Sequence, residues 1–306
     1  MSAPTGTQYI ITRATEQGEA RATITELAAS LREFSIGDVE LVEWYAETDM
    51  PPFADGIVLA PWPNRVEDGR WMLDGTVQQL DITEGDRNNA IHGLLRNTGY
   101  TLVERTPESV TLGATIFPQH GYSFHVHTTV RYELVEGGLR VTHTATNFSD
   151  APAPYAVGAH PFFKIGDTPI AELTLTMTAA TRFESNERLI PTGEVAVAGT
   201  EFDLSGGRLV GELDLDTAFA GVEVVDGVAA RLGAPSGSEL RVTVDDSFDF
   251  IQLFTPRNFP TLTGVAQAVA IEPMTAAPNA LNTGRGLLWL VPGVEFSATW
   301  GVEFTA

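Results

Sequence analysis

Short stretches of alternating apolar and polar residues run along most of the chain. "TLVERT", "SVTLGATIF", "SFHVHTTVRYELV" and "GLRVTHTATNF" are rich in Val, Thr, Phe and Tyr, and "AELTLTMTAATRF", "SELRVTVDD", "FDFIQLFT" and "VEFSATWGVEF" continue the pattern. A period of two in such residues predicts β-strands with one face buried. "TPES", "PQHGY", "EGG" and "SDAPAP" fall between the runs and predict turns. Two places read differently. Residues 19–34, "EARATITELAASLREF", put Ile24, Leu27, Ala28 and Leu31 at a helical period. The same stretch also alternates as a strand does, and Gly37 follows as a turn, so strand and turn are preferred over helix. A short helix is allowed near "MTAAPNALNTG", where Pro278 limits its length. No fixed-period repeat, linker or low-complexity run divides the sequence. The expectation is therefore all-β: one large antiparallel β-sandwich over residues 1–306.

Length and composition agree with that and narrow the function. At 306 residues the chain can bury a large core without staples. Its 40 acidic and 18 basic residues give a formal net charge of -22, a field that repels phosphate backbones, so no nucleic-acid partner is expected. There is no cysteine, which removes disulfides, thiolate nucleophiles and cysteine-ligated zinc together. The N-terminal residues show no basic region leading into an apolar run, and no apolar stretch approaches ~18 residues. No signal peptide, no membrane span and a cytoplasmic location are the corresponding expectations.

Four stretches carry more polar chemistry than a sandwich core needs. In "LAPWPNRVEDGRW" two prolines fix the backbone around Trp62, with Asn64 and Arg65 next to it. An arginine beside an aromatic ring suits stacking on a sugar and donating to its hydroxyls; a tight loop with a local ion pair is the plainer reading. In "NNAIHGLLRNTGY", Gly93 after His92 permits a sharp turn or a close backbone approach. In "YAVGAHPFFKIG", Pro161 stiffens the chain after His160, and a histidine delivers protons near neutral pH; a structural histidine is the alternative. In "AVAIEPMTAAPNALN", Glu272 ends a strongly apolar strand. A carboxylate is costly there unless paired or functional, and apolar surroundings raise its pKa. His125 and His127 of "HVH" would share one strand face as two metal ligands do, but no third ligand has suggestive spacing. The glycine-rich phosphate loops and the GxSxG elbow are missing.

Taken in order, "PWPNR", "NAIHG", "GAHPFF", "LDTAF", "FIQLFT", "AIEPMTAAPNALNTG" and "LVPGVEFSATWGVEF" resemble the aldose 1-epimerase (galactose mutarotase) family. The resemblance implies a β-supersandwich with an open cleft on one sheet. It also implies interconversion of the α and β anomers of a free hexose without metal or cofactor; a monomer or homodimer is expected. It implies Glu272 as general base and His160 as general acid. Asn64, Arg65, His92, Asp216 and Gln252 would hold the sugar hydroxyls, with Asp214 an alternative match for Asp216. Trp62 and Phe162 would offer apolar faces to the ring. "HPFF" stands where HPYF is more usual, and Met274 where many relatives have Gln, which leaves the preferred sugar open. Two rival functions remain: a hexose-6-phosphate 1-epimerase, with Arg65, Arg70 and Arg96 as candidates for a cationic pocket, and a non-catalytic carbohydrate-binding protein on the same scaffold. A metal-dependent enzyme using His92, His125, His127 or His160 is a more distant one.

Overall fold

A computed structural model describes residues 3–261 and 264–306. The period-two stretches do become strands, and the strands assemble into two large antiparallel sheets. One runs, from edge to edge, through Thr101–Arg105, Ser109–Ile116, Val126–Val135, Gly138–Asn147, Glu295–Thr305, Glu239–Val244, Val228–Gly233, Thr174–Met177 and Leu204–Leu209. The other runs through Pro191–Ala196, Ala179–Ser185, Asp216–Val222, Phe250–Phe254, Val269–Met274, Gly158–Ala159 and Val58–Leu59, with Phe162–Phe163 also pairing on Val269–Met274. The alternation in "VHTTVRYELV" is read out literally, since every second residue of that strand is buried. One buried apolar cluster joins the inner faces, with Val130, Val141 and Trp300 from the first sheet and Phe219, Ile251, Leu253 and Ile271 from the second. The expected large antiparallel sandwich is thus the architecture.

Residues 19–34 are strand, turn and strand rather than helix. Gly18–Thr25 and Leu31–Ile36 pair antiparallel in a separate four-stranded sheet. The chain reverses between them with Ala28 and Ala29 at φ 55° and 47°, a backbone that no α-helix contains. The helix expected near Pro278 is a single turn, Ala280–Thr283, starting two residues after the proline. Among the described residues, no helix is long and apolar enough to cross a membrane.

The strand Val269–Met274 shows why a run so apolar is interrupted by one acid. All six residues are buried, because both faces of the strand are covered. Val269 and Ile271 enter the main core, while Ala270 and Met274 belong to two smaller clusters on the opposite face. Glu272 sits between those two clusters. Across the sheet Gln252 is its register partner, and Phe250 and Phe254 face Met274 and Ala270. The second sheet therefore presents a mostly apolar outer face with a polar strip at Glu272, Gln252 and, diagonally, Asp216.

Candidate active site

Loops from three parts of the chain close over that strip. His160 lies between Gly158–Ala159 and Phe162–Phe163, and its backbone is pinned on both sides: its N–H donates to Ile57 O (3.2 Å) and its carbonyl accepts from Gly56 N (2.8 Å). This places His160 Nε2 3.4 Å from Glu272 Oε1, with both side chains buried. Asn64 and His92 are both in the left-handed backbone region, at φ 55° and 62°, and His92 N donates to Asn64 O (2.9 Å). Two strained, linked residues pointing into one cleft are a usual mark of a working site. His92 stands edge-on to His160 with ring centroids 5.3 Å apart. Asn64 Nδ2 donates to Gln252 Oε1 (3.3 Å), and Gln252 Nε2 donates to Asp216 Oδ1 (2.6 Å). The result is a cleft of about 500 Å³ lined by all seven residues singled out from the sequence: Asn64, Arg65, His92, His160, Asp216, Gln252 and Glu272. Of the two aspartates left open, Asp216 faces the cleft and Asp214 is exposed outside the strand.

Burial shifts the proton affinities of Glu272 and His160 in opposite directions. It pushes the Glu272 carboxyl well above its usual range, the Asp216 charge adds to this, and Arg65 partly offsets it. Burial also pulls His160 down to about 4, with Arg96 and Arg65 acting the same way against a backbone hydrogen bond. His92 is held neutral by burial and by the charges of His160, Arg96 and Arg65. Asp216 is raised by burial despite Arg65 and Arg87. The pair His160–Glu272 thus favours a state that holds one proton in total, which an acid–base couple needs.

Arg65 is less free than its position beside Trp62 suggested. Its Nε and Nη2 form a fork on Glu84 (both 2.9 Å), and Nη1 stands outside that fork. Burial raises Glu84, but the hydrogen bonds and charge of Arg65 outweigh it and hold the carboxyl down. Glu84 is in turn fixed from behind. Asn89 Nδ2 donates to it (3.1 Å), and Arg188, from the connection between Ala179–Ser185 and Pro191–Ala196, donates to Asn89 Oδ1 (3.1 Å), Asn88 O (3.0 Å), Arg87 O (2.8 Å) and Asp68 Oδ1 (2.7 Å). Arg188→Ala is expected to loosen this support and to lower kcat/KM about tenfold, mainly through KM, as loss of charge-assisted hydrogen bonds implies. Steady-state kinetics on the purified variant checks this, and an unchanged KM would contradict it.

The sequence model of the family described as Aldose 1-epimerase matches residues 13–302. The chain belongs to the aldose 1-epimerase family. Over 277 residues it is 30% identical to "Uncharacterized protein YihR" of Escherichia coli K12, covering 90% of this chain and 87% of that one. It is 32% identical over 195 residues to galactose mutarotase of Homo sapiens, which covers 60% of this chain and 54% of the human protein. The structure of the GalM/aldose epimerase homologue from C. elegans superposes with a TM-score of 0.85 at 22% identity, over 98% of this chain and 99% of that one.

For this aldose 1-epimerase family member, three sequence expectations need correction. Trp62 is 2% exposed and packs toward Tyr122 (centroids 6.5 Å), so it does not line the cleft; the flanking prolines turn it inward. Phe162 is fully buried beneath the cleft, against His160, Phe254 and Phe259. The apolar walls are instead Phe254 and Phe53, with centroids 5.9 Å apart. Phe254 lies two residues after Gln252 on the same strand face, so period two carried the signal; Phe53 and Glu84 sit in loops with no pattern. Arg70 is exposed and donates to Gln79 (2.9 Å), away from the site. His125 and His127 share one strand face, but each is engaged by its cross-strand neighbour: His127 Nδ1 meets Thr115 Oγ1 (3.0 Å), and His125 stacks on Phe117. Among the described residues, no group of three or more His, Asp or Glu has metal-ligand geometry. A larger groove of about 870 Å³, lined by His125, Phe148 and Trp289, contains none of the seven residues.

Proposed function

We propose that the protein is an aldose 1-epimerase that interconverts the α and β anomers of a hexose. The observation that carries this is the 3.4 Å approach of His160 Nε2 to Glu272 Oε1 on the floor of a polar cleft. In a cyclic hemiacetal the C1 hydroxyl oxygen and the ring oxygen share one carbon. Opening the ring moves a proton off the first and onto the second, so base and acid must be near neighbours.

The pair's single proton passes from Glu272 to His160 across their 3.4 Å contact, and Glu272 then takes the proton from the C1 hydroxyl as the C1–ring oxygen bond breaks and the C1 aldehyde forms. His160 gives a proton to the departing ring oxygen. Rotation about C1–C2 presents the other face of the aldehyde. The same two groups then run the steps in reverse, the ring hydroxyl losing its proton to His160 and the new C1 oxygen gaining one from Glu272. No covalent intermediate forms, which is why no serine or cysteine is required beside His160. Asn64, His92, Asp216, Gln252 and the free Nη1 of Arg65 provide directional donors and acceptors suited to a ring of hydroxyls. Fixing the sugar between acid and base contributes beyond the proton transfers themselves.

The rate should follow a bell-shaped pH profile with its plateau between the lowered His160 pKa and the raised Glu272 pKa. Below about 4, His160 gains a proton while Glu272 is still protonated, and the base is lost. Once the pH rises through the elevated Glu272 pKa, the last proton leaves and the acid is lost. A single descending limb centred near 6.5 would contradict the assignment. Polarimetry on freshly dissolved α-D-glucose and α-D-galactose and their 6-phosphates tests the activity itself: the protein should speed the approach to equilibrium for at least one of these sugars, and no acceleration with any would oppose the proposal.

A further inference from the structure

One buried carboxyl takes no part in the proton transfers. Asp55 is 0% exposed and lies outside the lining of the cleft. Among the described residues its Oδ2 has no hydrogen-bond partner, and its Oδ1 accepts from the Phe162 N–H at 3.4 Å. Burial pushes this carboxyl well above its usual range, the Phe162 N–H partly offsets that, and the Glu43 charge adds to it. A carboxyl withdrawn from water with one hydrogen bond is a cost to the fold. Its place in the chain shows what the cost supports.

Residues 55–57 hold residues 160–162 at three points. Ile57 O accepts from His160 N (3.2 Å), Gly56 N donates to His160 O (2.8 Å), and Asp55 Oδ1 accepts from Phe162 N. Pro161, between them, has no N–H to offer. The holding segment is itself fixed. Gly56 has φ 69°, a Cβ on it would lie 2.2 Å from Leu31 O, and its own carbonyl accepts from Leu31 N (3.0 Å). Ser30 Oγ donates to Asp55 O (2.7 Å). Of the three points, the one at Asp55 is made by a side chain, so a substitution can remove it.

The His160 ring depends on this hold. No side chain bonds its Nδ1, the atom through which an imidazole is commonly oriented. Its Nε2 faces Glu272, and its ring rests against Phe162 and edge-on to His92, both with centroids 5.3 Å away. The aim of the ring therefore comes from the backbone of residues 160–162 and from the Phe162 ring, and Asp55 bonds the N–H of that phenylalanine.

We propose that Asp55 is a positioning residue for the reaction: by accepting from the Phe162 N–H, its side chain fixes the loop that aims His160 at Glu272. The proposal rests on the assignment of His160 as the acid and adds the group that holds it in place.

The test is α/β exchange by NMR with Asp55→Ala, Asp55→Ser and Asp55→Asn. The sugar is whichever of glucose, galactose and their 6-phosphates the wild type turns over fastest, and kcat, referred to the folded fraction, is separated from KM. Alanine removes the acceptor, and the serine oxygen stands one bond short of it. Both should lower kcat about 10- to 100-fold with KM little changed, the size expected when a reacting group is displaced by about 1 Å. Asparagine keeps an oxygen acceptor in place and should retain most of kcat. A fault in the fold alone would spread along the chain to Asn64 and Arg65 and raise KM. Serine decides the matter if the alanine variant does not fold. An unchanged kcat without the acceptor, a KM that rises in step with the fall in kcat, or an asparagine variant no faster than the serine one would overturn the role of Asp55 while leaving 1-epimerase activity in place. No exchange by the wild type with any of these sugars would remove the acid assignment and this role together.

Discussion

Glu272→Gln is expected to lower kcat by about 10²- to 10⁴-fold with KM little changed, because the amide keeps the shape of the carboxyl but cannot accept the C1 proton. His160→Gln should cost a similar factor. The double variant should be little worse than either single one, since acid and base act on one proton-transfer event and removing either stops it. Stability should move differently from activity. Glu272 is 2% exposed, its Oε2 has no hydrogen-bond partner, and burial raises its carboxyl well above the usual range. A neutral amide in its place carries no charge to desolvate, so the melting temperature should hold or rise. A group kept at some cost to the fold is placed there for chemistry. A Glu272→Gln protein that turned over normally, or one that lost activity only because it unfolded, would contradict the assignment; thermal melting beside kinetics separates the two.

Gly93→Ala is the substitution outside the acid–base pair expected to do most damage. Gly93 has φ 75°, and a Cβ there would lie 2.0 Å from Ala60 O and 2.3 Å from Ala60 C. Those are backbone atoms, and Ala60 O is held by the N–H groups of Leu94 (2.9 Å) and Leu95 (3.1 Å). The chain therefore cannot relax without moving the segment that leads to Asn64 and Arg65, or the one that carries His92. A loss of roughly 4 kcal/mol or more is expected, a fall in melting temperature on the order of 10 °C, together with loss of activity. Gly75→Ala is the matched control. Its φ is 78°, but nothing lies within 4 Å of the added carbon, so only the left-handed backbone cost of about 1 kcal/mol should appear. Equal effects at the two positions would show that the close approach at Ala60 does not matter.

The site was legible in the sequence where a residue broke its local pattern. Glu272 interrupts an apolar run, and His160 sits among small residues before a stiffening proline. Gly93 follows a histidine at a point where only glycine fits. The choice between Asp214 and Asp216 was not legible, because residues two apart share a strand face; in the structure the strand begins at Asp216, which faces the cleft, while Asp214 is exposed outside it. Trp62 was misread because an aromatic beside Asn64 and Arg65 suggested a face for a sugar ring, whereas its indole is buried in the core. Glu84, Asn89 and Arg188 were invisible for another reason. Each is an ordinary polar residue in or beside a loop, Asn89 opening the short strand Asn89–Ile91, and their meaning comes only from hydrogen bonds spanning up to 101 residues of sequence. The fold was more readable than the site, since sheet faces repeat every two residues over long stretches while a catalytic contact occurs once.

The deciding measurement is two-dimensional exchange NMR on an equilibrated aldose that the wild-type protein turns over, repeated with Glu272→Gln at equal, folded concentration. Strong α-to-β exchange with the wild type and none above the spontaneous rate with Glu272→Gln is the expected result. Undiminished exchange with Glu272→Gln would mean that Glu272 and His160 are not the groups that open the ring.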